Sequence, residues 1–259
     1  MRIVVKVGTS TLAYPTGRLN IRHVEDLVKV LSDLKNAGHE MILVSSGAIG
    51  MGVGKLNLPG KPSDMPTKQA AAAVGQCRMM HIYDKLFSEY NRSVAQILLT
   101  GDDVEDPDRA EHLRSTFSAL LEMGVIPVVN ENDTVSVNEL KFSDNDNLAS
   151  LLINPVEADL FVNLTTIGGV LDANPLETPD ATIMPCIEDV RALNLDTLCG
   201  GKTSVGTGGM YSKLLSAHRV AQLGVPTAIL PGCEPDVIPR LFAGETIGTW
   251  VRPEQRTVS

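Results

Sequence analysis

Four short stretches hold residue types that chemistry uses, at spacings that chemistry needs. The first, Lys6-Val7-Gly8-Thr9-Ser10-Thr11, closes a valine-rich run. A lysine in such a run is costly to bury alone, so it either meets an anion or snorkels out of a plain turn. Gly8 lets backbone come close to a ligand, and the hydroxyls that follow can donate to it. The second, Val44-Ser45-Ser46-Gly47-Ala48-Ile49-Gly50, reads as strand, turn and helix start. Ser45 or Ser46 is expected to cap that helix, whose free amides suit phosphate or carboxylate; simple capping is the competing reading. Ser46 has no evident Asp–His partners, which argues against a serine hydrolase.

The third pairs Asn130-Glu131-Asn132-Asp133 with Ser143-Asp144-Asn145-Asp146-Asn147. Carboxylates suit an ammonium group and amides can donate to a carboxylate, so the two clusters together fit an amino acid. A turn followed by an Asx cap is the alternative, and the calcium-loop order of ligands is absent. The fourth is Gly206-Thr207-Gly208-Gly209-Met210-Tyr211-Ser212-Lys213, running into a helix. Glycines free the amides to wrap phosphate oxygens, and Lys213 leans back toward the same place. Gly200-Gly201-Lys202-Thr203 imitates the end of a P-loop, but Asp196 stands where its first glycine should be. Two lysines, two glycine-bearing turns and an acid–amide cluster are the parts that phosphoryl transfer requires. No protein-kinase catalytic loop is present, so the acceptor is expected to be a small molecule.

Those stretches need a scaffold that collects strand ends. Short β-branched runs at residues 3–7, 41–44, 94–99, 125–129, 160–164 and 227–230 read as strands. Their unbroken apolar character predicts burial on both faces, hence a mainly parallel sheet between helices. Between them, Ile21, Val24, Leu27, Val28, Leu31 and Leu34 form a helical stripe with Asn20 as N-cap and Gly38 as stop. A long helix is expected over 67–90, entered at Pro66. The Pro- and Gly-rich stretch 165–185 divides a larger N-terminal lobe, 1–164, from a smaller one, 165–259, and reads as a loop over a site.

At 259 residues the chain fits one large domain or two small ones. A net charge of −9 and only 4% aromatics argue against a nucleic-acid or anionic-membrane binder. The four cysteines are too scattered for a zinc cage, so no metal ligands are expected. Nowhere do 18 apolar residues run together, and Lys6 breaks the opening run too early for a signal peptide. A cytoplasmic protein is the expectation.

The motifs, in their order, resemble the amino acid kinase family, and within it the members that phosphorylate the side-chain carboxylate of glutamate in proline synthesis. The resemblance spans essentially the whole chain. It implies a three-layer αβα sandwich around a mainly parallel, roughly eight-stranded sheet, with the amino acid on the N-terminal lobe and ATP on the C-terminal one. It implies that Ser46, Asp133 and Asn145, with Asp144, bind glutamate. Lys6 and Lys213 would stabilise the phosphoryl group, and Asp146 would orient them. ATP would meet Lys6, Gly8, Thr165, Thr166 and the loop Thr207, Gly208, Gly209, Met210, Tyr211, Ser212 and Lys213, with Mg²⁺. Proline as feedback inhibitor, a homodimer or homotetramer, and coupling to glutamate-5-semialdehyde dehydrogenase are implied in the same way. Two departures stand out. Thr166 replaces an aspartate usual after that strand, and the chain ends before the PUA domain that many members carry. Competing functions are a kinase for another small carboxylate or phosphate, or a non-catalytic amino-acid sensor.

Overall fold

Alternation along the strands sorts the molecule into layers. Arg2–Val7 (β1), Glu40–Ser45 (β2) and Leu160–Thr165 (β5) send Ile3, Val5, Met41, Leu43 and Val162 to one side. There they pack on Val24, Leu27 and Leu31 of Ile21–Asn36 (α2) and on Met79, Tyr83 and Phe87 of Met65–Ser88 (α4). The intervening Val4, Ile42, Val44 and Phe161 face the other side. That layer contains Leu113, Phe117 and Leu121 of Pro107–Glu122 (α6) and Leu148 and Leu152 of Asn145–Leu152 (α7). Each buried Leu, Ile or Val contributes about 1.5–3 kcal/mol. Lys6 falls in the Val4 register and Asn163 in the Phe161 register, so both point at the α7 layer.

The computed structural model describes residues 1–14, 18–136, 145–199, 209–234 and 236–254. The remaining elements are Thr9–Leu12 (α1), Ala48–Lys55 (α3), Val94–Leu99 (β3), Gly101–Glu105 (α5), Ile126–Glu131 (β4), Cys186–Ile187 (β6), Leu195–Cys199 (α8), Met210–Gln222 (α9), Thr227–Pro231 (β7), Val237–Phe242 (α10) and Thr249–Val251 (β8). One eight-stranded sheet runs in the order β3-β4-β2-β1-β5-β7-β8-β6. β1 lies parallel between β2 and β5, while β8 runs antiparallel to β7 and parallel to β6. The expected αβα sandwich with a mainly parallel sheet is therefore observed.

The sequence misplaces one cap. α3 starts at Gly47, held at φ +110°, with no side chain on its free amides. Ser45 is the last residue of β2 and shares a hydrogen bond with Tyr83, so neither it nor Ser46 caps the helix. The stretch after β5 is pinned by the Val170 amide donating to Thr249 Oγ1 at 2.8 Å and by a bridge between Leu171 and Ile183. Only its first residues, Thr165 and Thr166, line the main cleft. α3 and α4 cross at backbone contact: a Cβ on Gly52 would lie 1.8 Å from Ala71 O, and one on Gly75 1.7 Å from Ala48 O. This crossing locks α4 against the start of α3.

Candidate active site

A parallel strand ends where its backbone leaves the sheet, and a crevice forms beside neighbouring strand ends. Here a cleft of about 1180 Å³ opens at the ends of β1, β2, β4 and β5. It is lined by Lys6, Gly8, Ser46, Asp133, Asn145, Thr165, Thr166 and Lys213, residues gathered from across the whole sequence. Eight of the expected site positions thus share one space.

Its floor is an ionic cluster. Asp146, on the first turn of α7, has no exposed surface; Lys6 is 2% and Lys213 6% exposed. Asp146 Oδ1 sits 2.5 Å from Lys6 Nζ and accepts from Asn163 Nδ2 at 2.9 Å. Its Oδ2 accepts from Lys213 Nζ at 2.8 Å and from Ser212 Oγ at 3.0 Å. Burial pushes this carboxyl up, but the two ammonium groups override burial and hold it down at about 2. Two buried ammonium groups thus share the Asp146 carboxylate at the floor of the cleft. Asp146 itself does not line the cleft; it reaches it through the two lysine side chains.

The end of the cleft beside Ser46 is built from amides. Asn145 Nδ2 donates to Ser46 Oγ at 2.8 Å, to the Ser45 carbonyl at 3.0 Å and to Asn130 Oδ1 at 2.8 Å, two N–H groups shared among three acceptors. Asp133 stands half-buried at the cleft wall. Burial raises its pKa, and the Lys61 ammonium pulls it back down. On the Lys213 side, α9 begins at Gly209 in extended backbone with no side-chain cap. Met210 packs into the core beside Leu214, while Tyr211 is exposed. Ser212 turns its hydroxyl to Asp146 and to the Gly209 carbonyl, so its side chain supports the cluster from within the expected nucleotide loop. Asp144, Thr207 and Gly208 lie outside the described residues.

Sequence reading missed Asn163, Gln76 and Tyr83. Asn163 carried a usable signal, because an amide inside an otherwise apolar buried strand must have a partner. Gln76 and Tyr83 carried none, since helix α4 mixes polar and small residues all along its length.

These features define a phosphotransferase-type site on a doubly wound αβα sheet. The sequence profile described as Amino acid kinase family matches residues 1–231, and the chain belongs to that family. It is 58% identical over 257 residues to a protein named Glutamate 5-kinase from Nitratidesulfovibrio vulgaris, covering 99% of this chain and 67% of that protein. A second relative of that name, from Clostridium tetani, is 45% identical over 248 residues, covering 96% of this chain and 93% of its own length. Among solved structures, UMP kinase from Bacillus anthracis superposes with a TM-score of 0.65 at 16% identity, covering 98% and 96% of the two chains. Isopentenyl phosphate kinase from T. acidophilum gives 0.66 at 16% identity, covering 97% and 100%. At those identities the structures speak for the fold alone.

Proposed function

We infer that the protein transfers the γ-phosphoryl group of ATP to the side-chain carboxylate of L-glutamate, giving L-glutamyl 5-phosphate, the first step of proline synthesis. The observation that carries the reading is the buried Lys6–Asp146–Lys213 cluster, which brings two ammonium groups to the floor of a cleft walled by amides. The acceptor is already an anion, so no general base is needed. A carboxylate oxygen forms the new P–O bond, the bond from the γ-phosphorus to the β–γ bridging oxygen breaks, and ADP leaves. The barrier is repulsion between anions, and Lys6 and Lys213 lower it by sitting where charge gathers. Asp146 keeps both ammonium groups charged and aimed.

Ser46, held by Asn145, would donate to a substrate carboxylate, and Asp133 with the Asn145 amide oxygen would accept from its ammonium, with Asp144 beside them, all on the 1–164 lobe. ATP would lie against the 165–259 lobe, on Thr165, Thr166, the amides from Gly209 to Ser212, and Lys213, with Gly8 from β1 and the loop residues Thr207 and Gly208. The uncapped start of α9 supports that placement. Mg²⁺ is the expected companion of the nucleotide. Among the described residues no three metal-ligating side chains cluster.

The same reading carries proline as feedback inhibitor and a homodimer or homotetramer. It also carries a cytoplasmic location and glutamate-5-semialdehyde dehydrogenase as the enzyme that takes up a labile product. No described helix is long and apolar enough to cross a membrane. The test is to incubate purified protein with ATP, Mg²⁺, hydroxylamine and a panel of acceptors. Glutamate-dependent hydroxamate is expected; turnover of aspartate, N-acetylglutamate or a phosphate acceptor with none of glutamate would overturn the reading.

A further inference from the structure

Behind Ser46 lies a row of amides whose direction is fixed at one end. The Ser45 carbonyl can only accept, so the group facing it must be the NH₂ of Asn145. The same NH₂ donates to Asn130 Oδ1, which therefore turns Asn130 Nδ2 the other way, onto Gln76 Oε1 at 2.9 Å. Gln76 is left with its Nε2 buried and without a hydrogen-bond partner. Turning Gln76 over would set two NH₂ groups against each other. The orphaned donor is thus the consequence of a row that must run in one direction. A buried unpaired donor is destabilising and calls for a reason.

We propose that Gln76 is a positioning residue that sets the hydrogen-bond polarity of the amino-acid end of the cleft. Through Asn130 it holds Asn145 with its N–H groups toward Ser46 Oγ. Ser46 then accepts from Asn145 and keeps its own proton for a carboxylate in the cleft. Gln76 does not line the cleft, so it acts through Asn130 and Asn145 and not on substrate. Its place is secured by Gly75, whose missing side chain lets α4 rest on the Ala48 carbonyl. The proposal rests on glutamate occupying the Ser46–Asn145 end, as inferred above.

The experiment compares steady-state kinetics of the parent with Gln76→Met, Gln76→Glu and Gln76→Asn, each checked by thermal melting. Gln76→Met keeps the length and removes the acceptor; the expected result is a glutamate KM raised about tenfold, as loss of one aligned hydrogen bond implies. The KM for ATP and kcat are expected to stay within about twofold of the parent. Gln76→Glu retains an acceptor for Asn130 and should restore the glutamate KM to within about threefold. Gln76→Asn, too short to reach Asn130, should resemble Gln76→Met, so the contrast between Glu and Asn survives even if the methionine variant does not fold. An unchanged glutamate KM in folded Gln76→Met or Gln76→Asn would overturn the proposal. So would a parallel rise in the KM for both substrates, which is what general loosening produces. A parent with no glutamate turnover removes the site reading itself; a parent with normal turnover beside an insensitive variant removes only the role of Gln76.

Discussion

The glycine starts of α3 and α9 and the capped starts of α2, α4 and α6 differ in what meets their first amides. α2, α4 and α6 start with side-chain caps: Asn20 accepts from the His23 amide, Asp64 from Thr67 and Asp106 from Arg109, at 3.3, 2.9 and 3.0 Å. α3 and α9, which lead away from the cleft, start at Gly47 and Gly209 with no side-chain cap. Three helices satisfy a first-turn amide with a capping side chain, α4 among them although Met65, Lys68 and Gln69 of its first turns line the cleft, whereas α3 and α9 carry no such side chain. A cap is worth about 0.5–2 kcal/mol, so leaving two helices without one is a stability cost that a bound anion can offset.

The largest effect expected on the cleft side comes from its charge. Asp146→Asn removes the carboxylate that two buried ammonium groups share. Urea unfolding should show a loss of about 3–5 kcal/mol, the usual cost of breaking a buried pair. Hydroxamate formation should fall at least ~100-fold, since the lysines lose the group that aims them. Near-parent stability and rate would mean the cluster is ornamental.

Next in size is an attempt to erase the contrast. Gly209→Asp gives α9 the cap it lacks, at a backbone geometry that any residue adopts (φ −75°, ψ 177°). The expected result is a melting temperature equal to or above the parent together with an ATP KM raised about tenfold, because the new carboxylate takes the amides and repels phosphate. An unchanged ATP KM would separate the start of α9 from the nucleotide.

Acid titration follows. The Asp146 carboxyl is depressed from its ordinary 3.8 to about 2 in the folded protein. A depressed carboxyl stabilises the fold above its unfolded value and gives up that stability as pH falls through the folded one. Stability from this group should therefore be complete above about pH 4 and drain away toward pH 2. Calorimetry from pH 5 downward should show the slope in the parent and a shallower one in Asp146→Asn.

The smallest change lies on the outer side of the comparison. Asp106→Ala removes the cap of α6, far from the cleft lining. It should cost about 1 kcal/mol in urea unfolding and leave both KM values and kcat within about twofold. A kinetic effect there would dissolve the distinction between the two kinds of helix start.

Six strands and the helices α2, α3, α4, α7 and α9 were readable because their signals are local, while β6, β8 and the helices α1, α5, α6, α8 and α10 went unplaced. The stripe from Ile21 to Leu34 with Asn20 and Gly38 at its ends became α2, whose N-cap is Asn20 and after which Gly38 takes φ +92°. Lys6, Ser46, Asp133, Asn145 and Lys213 were readable because glycines and amides at strand ends are rare enough to stand out. What was hidden is what depends on the fold closing. Ser45 looked like a cap, yet it belongs to β2 and faces Tyr83 across the α4 layer. Asn163 sat unnoticed in an apolar run until the sheet placed it beside Lys6. Gln76 became meaningful only when the Gly52–Ala71 and Gly75–Ala48 contacts brought α4 against the strand end that carries Asn130.

The account stands most directly on Lys213. Rapid-quench measurement of phosphoryl transfer from labelled ATP to glutamate in a single turnover, comparing the parent with Lys213→Ala, isolates the chemical step. The predicted result is a transfer rate lowered about 10²–10³-fold in a folded protein that still binds glutamate with parent affinity. Transfer at the parent rate would contradict it.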